Sequence, residues 1–217
     1  HEIRTPLTLI IGPLEEMLQG NDLSSSFRQK LNALHMNASH LLRLVSQLME
    51  FRRVETGKQI LKAAEGNFSL FCEELYISFR EYAKSRNIKF SFLRAEENLN
   101  AWFDRDKFEI ILCNLLLNAF KYTPEGGDVT FTLTQDIKLE KDISKGFVVV
   151  KIKDSGKGIP TENQPQIFNR FYQVVNSDTA NISGSGIGLS LVKDLLELHG
   201  GEINLQSSPE NGTEFTV

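Results

Sequence analysis

The apolar positions of this chain change period once, and the change divides it in two. From the start they fall at Ile3, Leu7, Ile10, Leu14 and Met17, the alternating four-three spacing of a heptad seam. Pro6 and Pro13 each remove a backbone donor and crowd the carbonyl four residues back, so the pattern predicts one bent helix rather than two short ones. After Gly20, Asn21 and Asp22, the serines at 24 to 26 offer caps for a second helix. Its seam runs through Phe27, Leu31, Leu34, Ala38, Leu41, Val45 and Leu48, and Leu42, Leu44 and Met49 widen the face. One hairpin cannot bury this much apolar surface. Two side by side in a four-helix bundle would, which predicts a homodimer.

Arg52 and Arg53 end that periodicity. The expected division is a helical hairpin over 1–55, a linker over 56–64 and a second domain over 65–217. In the second domain, helices are predicted over 68–86 and 104–122, with strands over 88–93 and 99–103. A turn follows at 124–127. Val129, Phe131 and Leu133 alternate as a strand, and a charged hairpin loop leads to another strand over 147–153. A loop region from 160 to about 185 precedes a helix over 190–198, which Gly200 and Gly201 close before two final strands. The fold class is α+β: a helical hairpin forming a dimeric four-helix bundle, then an α/β sandwich with its helices on one sheet face.

Composition narrows the partners. Twenty-eight acidic residues against twenty-four basic ones give a net charge of −4, and no Lys/Arg block is able to neutralise many phosphates, which argues against nucleic acid. Cys72 and Cys113 lack metal-site spacing and sit in apolar patterns as small hydrophobes, in keeping with a reducing cytosol. There is neither a long apolar run nor a signal-peptide pattern, so membrane attachment is expected only through segments outside this chain. The pattern opens inside a helix at His1 and stops inside a strand-like run at Val217, as expected of a piece of a larger protein.

Chemistry concentrates on the helix at 104–122. Asn114 and Asn118 stack on one face with Lys121 beside them, while Leu115, Leu116 and Phe120 serve the core. Amide oxygens are hard, neutral ligands that suit a magnesium ion kept partly hydrated by a nucleotide, and the lysine would meet phosphate. The plain alternative is a solvated helix face. Asp154 follows the predicted strand over 147–153 and precedes Gly156 and Gly158, so a carboxylate able to accept the amine of adenine stands where the backbone permits close approach, with Tyr122 near the base. Gly184, Gly186 and Gly188 open the last helix and would present N–H groups to phosphate. Their spacing fits neither the dinucleotide fingerprint nor the P-loop.

The succession NLLLNAFKY, DSGKGIP, FNRFY and GSGIGL, after HEIRTPL at the start, resembles the N, G1, F and G2 boxes and the H box of sensor histidine kinases. The wording around them resembles hybrid two-component sensors. The resemblance implies His1 as phospho-acceptor, ATP and magnesium as cofactors, and Asn114 and Asn118 as ligands of the metal and phosphates. Lys121 would contact phosphate, Asp154 would read adenine with Gly156 and Gly158 shaping the pocket, and Gly184, Gly186 and Gly188 would close over the phosphates. Phe168 and Phe171 would be buried anchors of a lid at 173–185. The partner implied is a response-regulator receiver domain, and the setting is the cytoplasmic portion of a membrane-anchored bacterial sensor.

A neutral imidazole is nucleophilic enough to attack phosphorus. Glu2 would take the other ring proton, and Thr5, one turn on, would orient a water in a phosphatase reaction. His35 and His40 read as bundle or solvated residues, and His199 as a helix C-terminal cation. The position one turn before Asn114, which in the family and in related ATP hydrolases often holds Glu, Gln or His, is Ile110. This argues against activation of water, and hence against the competing reading as a chaperone-type ATPase. A catalytically silent dimerisation module is the third reading.

Overall fold

The computed structural model describes residues 10, 11, 13, 14, 17, 27, 31, 34, 38, 45, 49, 60–140, 143–174 and 185–217, and the chain forms two units, His1–Gln59 and Ile60–Val217. Every described residue of the first unit is helical, Pro13 included. Leu31 is buried, whereas Ile10, Met17, Phe27 and Leu34 of the seam each stand about half exposed. Leu41 and Leu48 lie outside the described residues.

The second unit runs β1 (Ala64–Asn67), α1 (Phe68–Ser85), β2 (Lys89–Arg94), β3 (Asn100–Phe103), α2 (Arg105–Tyr122), β4 (Asp128–Glu140), β5 (Ile143–Asp154), α3 (Gly188–Leu198), β6 (Asn204–Ser208) and β7 (Gly212–Thr216). Five strands form one sheet in the order β2-β4-β5-β7-β6, in which only β2 pairs in parallel, with β4. Period-two alternation gives the sheet its covered face. Val129, Phe131 and Leu133 of β4 and Val150 and Ile152 of β5 are buried, while Lys151 and Lys153 between them are exposed.

Helix α2 lies at the centre of that face, with Ile111, Leu112, Leu115, Leu116 and Phe120 almost wholly removed from water. Phe120 stacks on Phe79 at 5.8 Å and meets Phe90 and Tyr82 edge-on at 5.0 and 5.6 Å. Burying a side chain of this size contributes about 1.5–3 kcal/mol. The two longer helices begin at side-chain caps: Asn67 accepts from the Leu70 N–H at 2.9 Å, and Asp104 from the Lys107 N–H at 3.3 Å.

Three details differ from the sequence expectation. Strand β1, across the expected boundary between linker and second domain where no strand was predicted, pairs with β3 from Ala64↔Phe103 to Asn67↔Asn100. Its sequence AEGN carries no apolar alternation, and its partner's backbone makes it a strand. The expected charged hairpin loop is ladder instead, paired out to Glu140↔Ile143, because backbone groups form the ladder whatever the side-chain pattern. Helix α3 starts at Gly188, two residues early, since Ile187 already has helical dihedrals and the Ser190 hydroxyl donates to its carbonyl at 2.9 Å.

Candidate nucleotide site

Asp154 has the same parity as Val150 and Ile152, so the alternation that builds the core turns its carboxylate inward at the last position of β5. It is 5 % exposed. Register sets it opposite Thr213 of β7, which lies opposite Ser207 of β6. The Gly156 N–H donates to Asp154 Oδ1 at 2.8 Å, and the Thr213 N–H donates to the same carboxylate. Burial pushes its pKa up to about 6, a rise those two hydrogen bonds partly offset.

Ser207 laces the surroundings together. Its hydroxyl donates to the Gly212 carbonyl at 2.9 Å, accepts from the Ile159 N–H at 2.8 Å and lies 3.1 Å from Thr213 Oγ1. The turn after Asp154 thereby lies against β6. Gly158 has φ +69°, and a Cβ there would stand 2.0 Å from the Ser208 carbonyl oxygen, so only glycine fits. Thr213 and Ser207 were not singled out from sequence. In the chain they look like ordinary strand residues, and only the β5-β7-β6 order brings them to Asp154.

Three stretches converge here. A Cβ on Gly156 would stand 2.6 Å from the Tyr122 carbonyl oxygen, which sets the 154–158 turn against the end of α2. A Cβ on Gly188 would stand 2.8 Å from Asn114 Oδ1, which sets the first residue of α3 against the amide row. Asn114 is buried and its Nδ2 donates to the Ile110 carbonyl at 2.7 Å, while Asn118 is half-buried one turn on. The Lys121 ammonium lies 5.1 Å from the centre of the Tyr122 ring. Tyr122 meets the glycine turn through its main chain. At position 110 only an apolar side chain is present, and Glu109 beside it is exposed.

Two expectations are corrected. Phe168 is half-buried against Phe215 with ring centres 6.5 Å apart, but Phe171 is 62 % exposed. Phe171 acts through its backbone: at φ +63° its N–H donates to the Gly186 carbonyl at 2.9 Å. Gly186, at φ +69°, has the Phe171 main chain where a Cβ would be, 2.6 Å away. His199 is no C-terminal cation. Its Nε2 accepts from the Asp104 N–H at 3.3 Å, so Nδ1 carries the proton and donates to the Leu195 carbonyl at 2.7 Å, as a neutral ring does. Cys72 is fully buried, and burial raises its thiol pKa, as befits an inert core residue. His1, Glu2, Thr5 and Gly184 lie outside the described residues.

Among the described residues no group of three or more His, Cys, Asp or Glu could hold a metal ion unaided. The amide oxygens of Asn114 and Asn118 fit a magnesium ion that keeps most of its shell as water and phosphate oxygen.

Family models describe the two parts of the chain. The one for histidine kinase-, DNA gyrase B- and HSP90-like ATPases matches residues 103–217, and the one for the His Kinase A (phospho-acceptor) domain matches residues 1–57. The chain belongs to the sensor histidine kinases. This histidine kinase core is similar over its whole length to histidine kinase P4 of Formosa agariphila, at 44 % identity over 220 residues, and spans 16 % of that protein. It also resembles the crystal structure of full-length ShkA in complex with AMPPNP, with a TM-score of 0.73 and 25 % identity over 100 % of this chain and 43 % of that one. Histidine kinase ThkA in complex with the response regulator protein TrrA matches with a TM-score of 0.62 and 27 % identity, over 100 % of this chain and 57 % of that one. The core thus joins a phospho-acceptor domain of this family to an ATPase-type domain. No helix among its described residues is long and apolar enough to cross a membrane.

Proposed function

We propose that this kinase core transfers the γ-phosphoryl group of ATP to His1 and then to an aspartate of a receiver domain. The observation that carries the reading is the convergence of the buried Asp154 carboxylate, the Asn114 row and the start of α3 on one site. Asp154 accepts the exocyclic amine of adenine, with Gly156 and Gly158 shaping the pocket by letting the turn pack against Tyr122 and Ser208. Gly184, Gly186, Gly188 and the first N–H groups of α3 face the phosphates, and Lys121 neutralises them. Asn114 and Asn118 hold magnesium, which when bound screens the triphosphate charge and fixes its orientation.

Neutral His1 forms the new P–N bond as the bond from the γ-phosphorus to the bridging oxygen breaks and ADP leaves. Glu2 accepts the ring proton. The receiver's carboxylate then takes the phosphoryl group as the P–N bond breaks, giving an acyl phosphate and free histidine. Thr5 directs water in the opposing dephosphorylation. The response regulator seen with ThkA supports a receiver partner. Segments outside this chain attach the sensor to a membrane.

Incubated with γ-labelled ATP and magnesium, the full-length kinase should take up acid-labile, base-stable label that His1→Gln lacks; equal labelling of that variant would sink the assignment. The half-exposed Ile10, Met17, Phe27 and Leu34 support a second copy packed along the seam. Phe27→Lys combined with Leu34→Glu should therefore sediment at the mass of one copy while the parent sediments at two. A dimeric variant would remove the seam from the interface.

A further inference from the structure

Asp194 lies on α3, two turns from the phosphate-facing end of that helix. Its Oδ2 is buried and receives no hydrogen bond. The charges around it are Arg170, Lys193 and Glu197, and burial raises its pKa while Arg170 is the foremost opposing influence. Lys193 is turned along the helix surface toward Glu197, 3.9 Å away. Arg170 comes from a separate segment, the FNRFY stretch, and brings its Nη2 to 3.8 Å from that Oδ2. A shielded carboxylate is costly without a nearby cation, and this one has its cation on the residue immediately before Phe171.

We infer that Arg170 and Asp194 are positioning residues for the phosphate end of the nucleotide site. The pair joins the FNRFY stretch to the second turn of α3. One residue beyond Arg170, the Phe171 N–H closes on the Gly186 carbonyl, and two residues beyond Gly186 the helix begins against Asn114. The ion pair and the backbone contact thus hold the same two segments at two points, and together fix the angle at which the turn at Gly186 and Gly188 meets the amide row. One point alone would leave a pivot. The inference rests on the nucleotide reading, because the part held in place is the start of α3.

Arg170→Gln and Asp194→Asn in the full-length kinase should each raise KM for ATP about tenfold with kcat at saturation retained, and the double variant should be no worse than either single one. Exchanging the charges, Arg170→Asp with Asp194→Arg, should restore much of the affinity. Asp194→Asn removes a half-buried charge, so loss of the fold is not the expected failure. Unchanged KM, additive losses, or a fall in kcat alone would overturn the inference. Amide exchange at Phe171 without nucleotide gives a second readout, and should quicken in both single variants. If the parent shows no ATP-dependent labelling, the nucleotide reading fails, and exchange at Phe171 still decides the pair.

Discussion

Asp154→Asn should make the nucleotide-free core more resistant to heat while weakening its hold on ATP. Burial raises Asp154 from 3.8 to about 6, so keeping it ionised at neutral pH costs up to about 3 kcal/mol. A folded-state pKa above the unfolded one means that folding takes up protons between the two values. Stability is therefore greatest below 3.8, declines as pH rises to about 6, and carries the full cost above that. The asparagine oxygen still accepts the Gly156 N–H and leaves no buried charge, so the variant should regain part of the cost, about 1–2 kcal/mol, or a few degrees in Tm.

ATP reverses the sign. In the proposed site the ionised carboxylate accepts the adenine amine, and an amide can turn either its donor or its acceptor toward the base. Losing one charge-assisted hydrogen bond of about 1.5–3 kcal/mol weakens ATP about 10- to 100-fold and blurs discrimination from guanine nucleotides. Parental KM for ATP should also climb as pH falls through about 6, whereas that of the variant should not. Thermal melts and ATP titrations from about pH 5 to about pH 8 check both halves. A lower Tm in Asp154→Asn, or the same pH dependence in both proteins, would show that the carboxylate does neither job.

Asp104→Ala should destabilise the same domain by about 4 kcal/mol. Asp104 is 3 % exposed and Lys107 8 %, with Lys107 Nζ 2.7 Å from Asp104 Oδ2. The carboxylate also accepts from the Lys62 N–H at 2.8 Å and caps α2. Burial alone would raise its pKa, but the hydrogen bonds from Lys107 and the Lys62 N–H together hold it below the usual value. Its stabilisation is thus present above the unfolded pKa and lost as pH falls through the lower folded one. Alanine removes a cap worth about 1 kcal/mol and strands a buried ammonium, a loss of about 3 kcal/mol or more. Asp104→Asn with Lys107→Met keeps the cap and removes the charge, and should recover most of the stability in urea unfolding. If Asp104→Ala unfolds at the parental urea concentration, the pair is not buried in solution.

Much of this fold could be read directly from the order of residues. Helix α2 showed its apolar and amide faces at four-residue spacing, and Asp154 showed its place at the close of a strand beside glycines that permit close approach. What depended on distant pairing was hidden. β1 is a strand only because Asn100–Phe103 runs beside it, and Thr213 matters only because β7 lies next to β5. Phe171 misled for another reason: an aromatic in an apolar motif suggests a buried ring, yet its contact with Gly186 is made by a main-chain N–H that does not depend on the side chain. His199 likewise showed its position at a helix end but not that Asp104, 95 residues away, would donate to it.

The β4–β5 hairpin sets where this domain can change length. Its bend lies beyond the Glu140↔Ile143 rung, which is eleven rungs from the Val129↔Asp154 rung. Residues added at that bend extend the hairpin without altering the rungs behind it. A single residue gained or lost between Val150 and Asp154 reverses inside and outside for everything after it and swings the carboxylate toward solvent. Insertions and deletions accumulated in descendants of this domain should therefore cluster at the bend and avoid the last turn of β5, which also makes the bend the place to insert a reporter peptide.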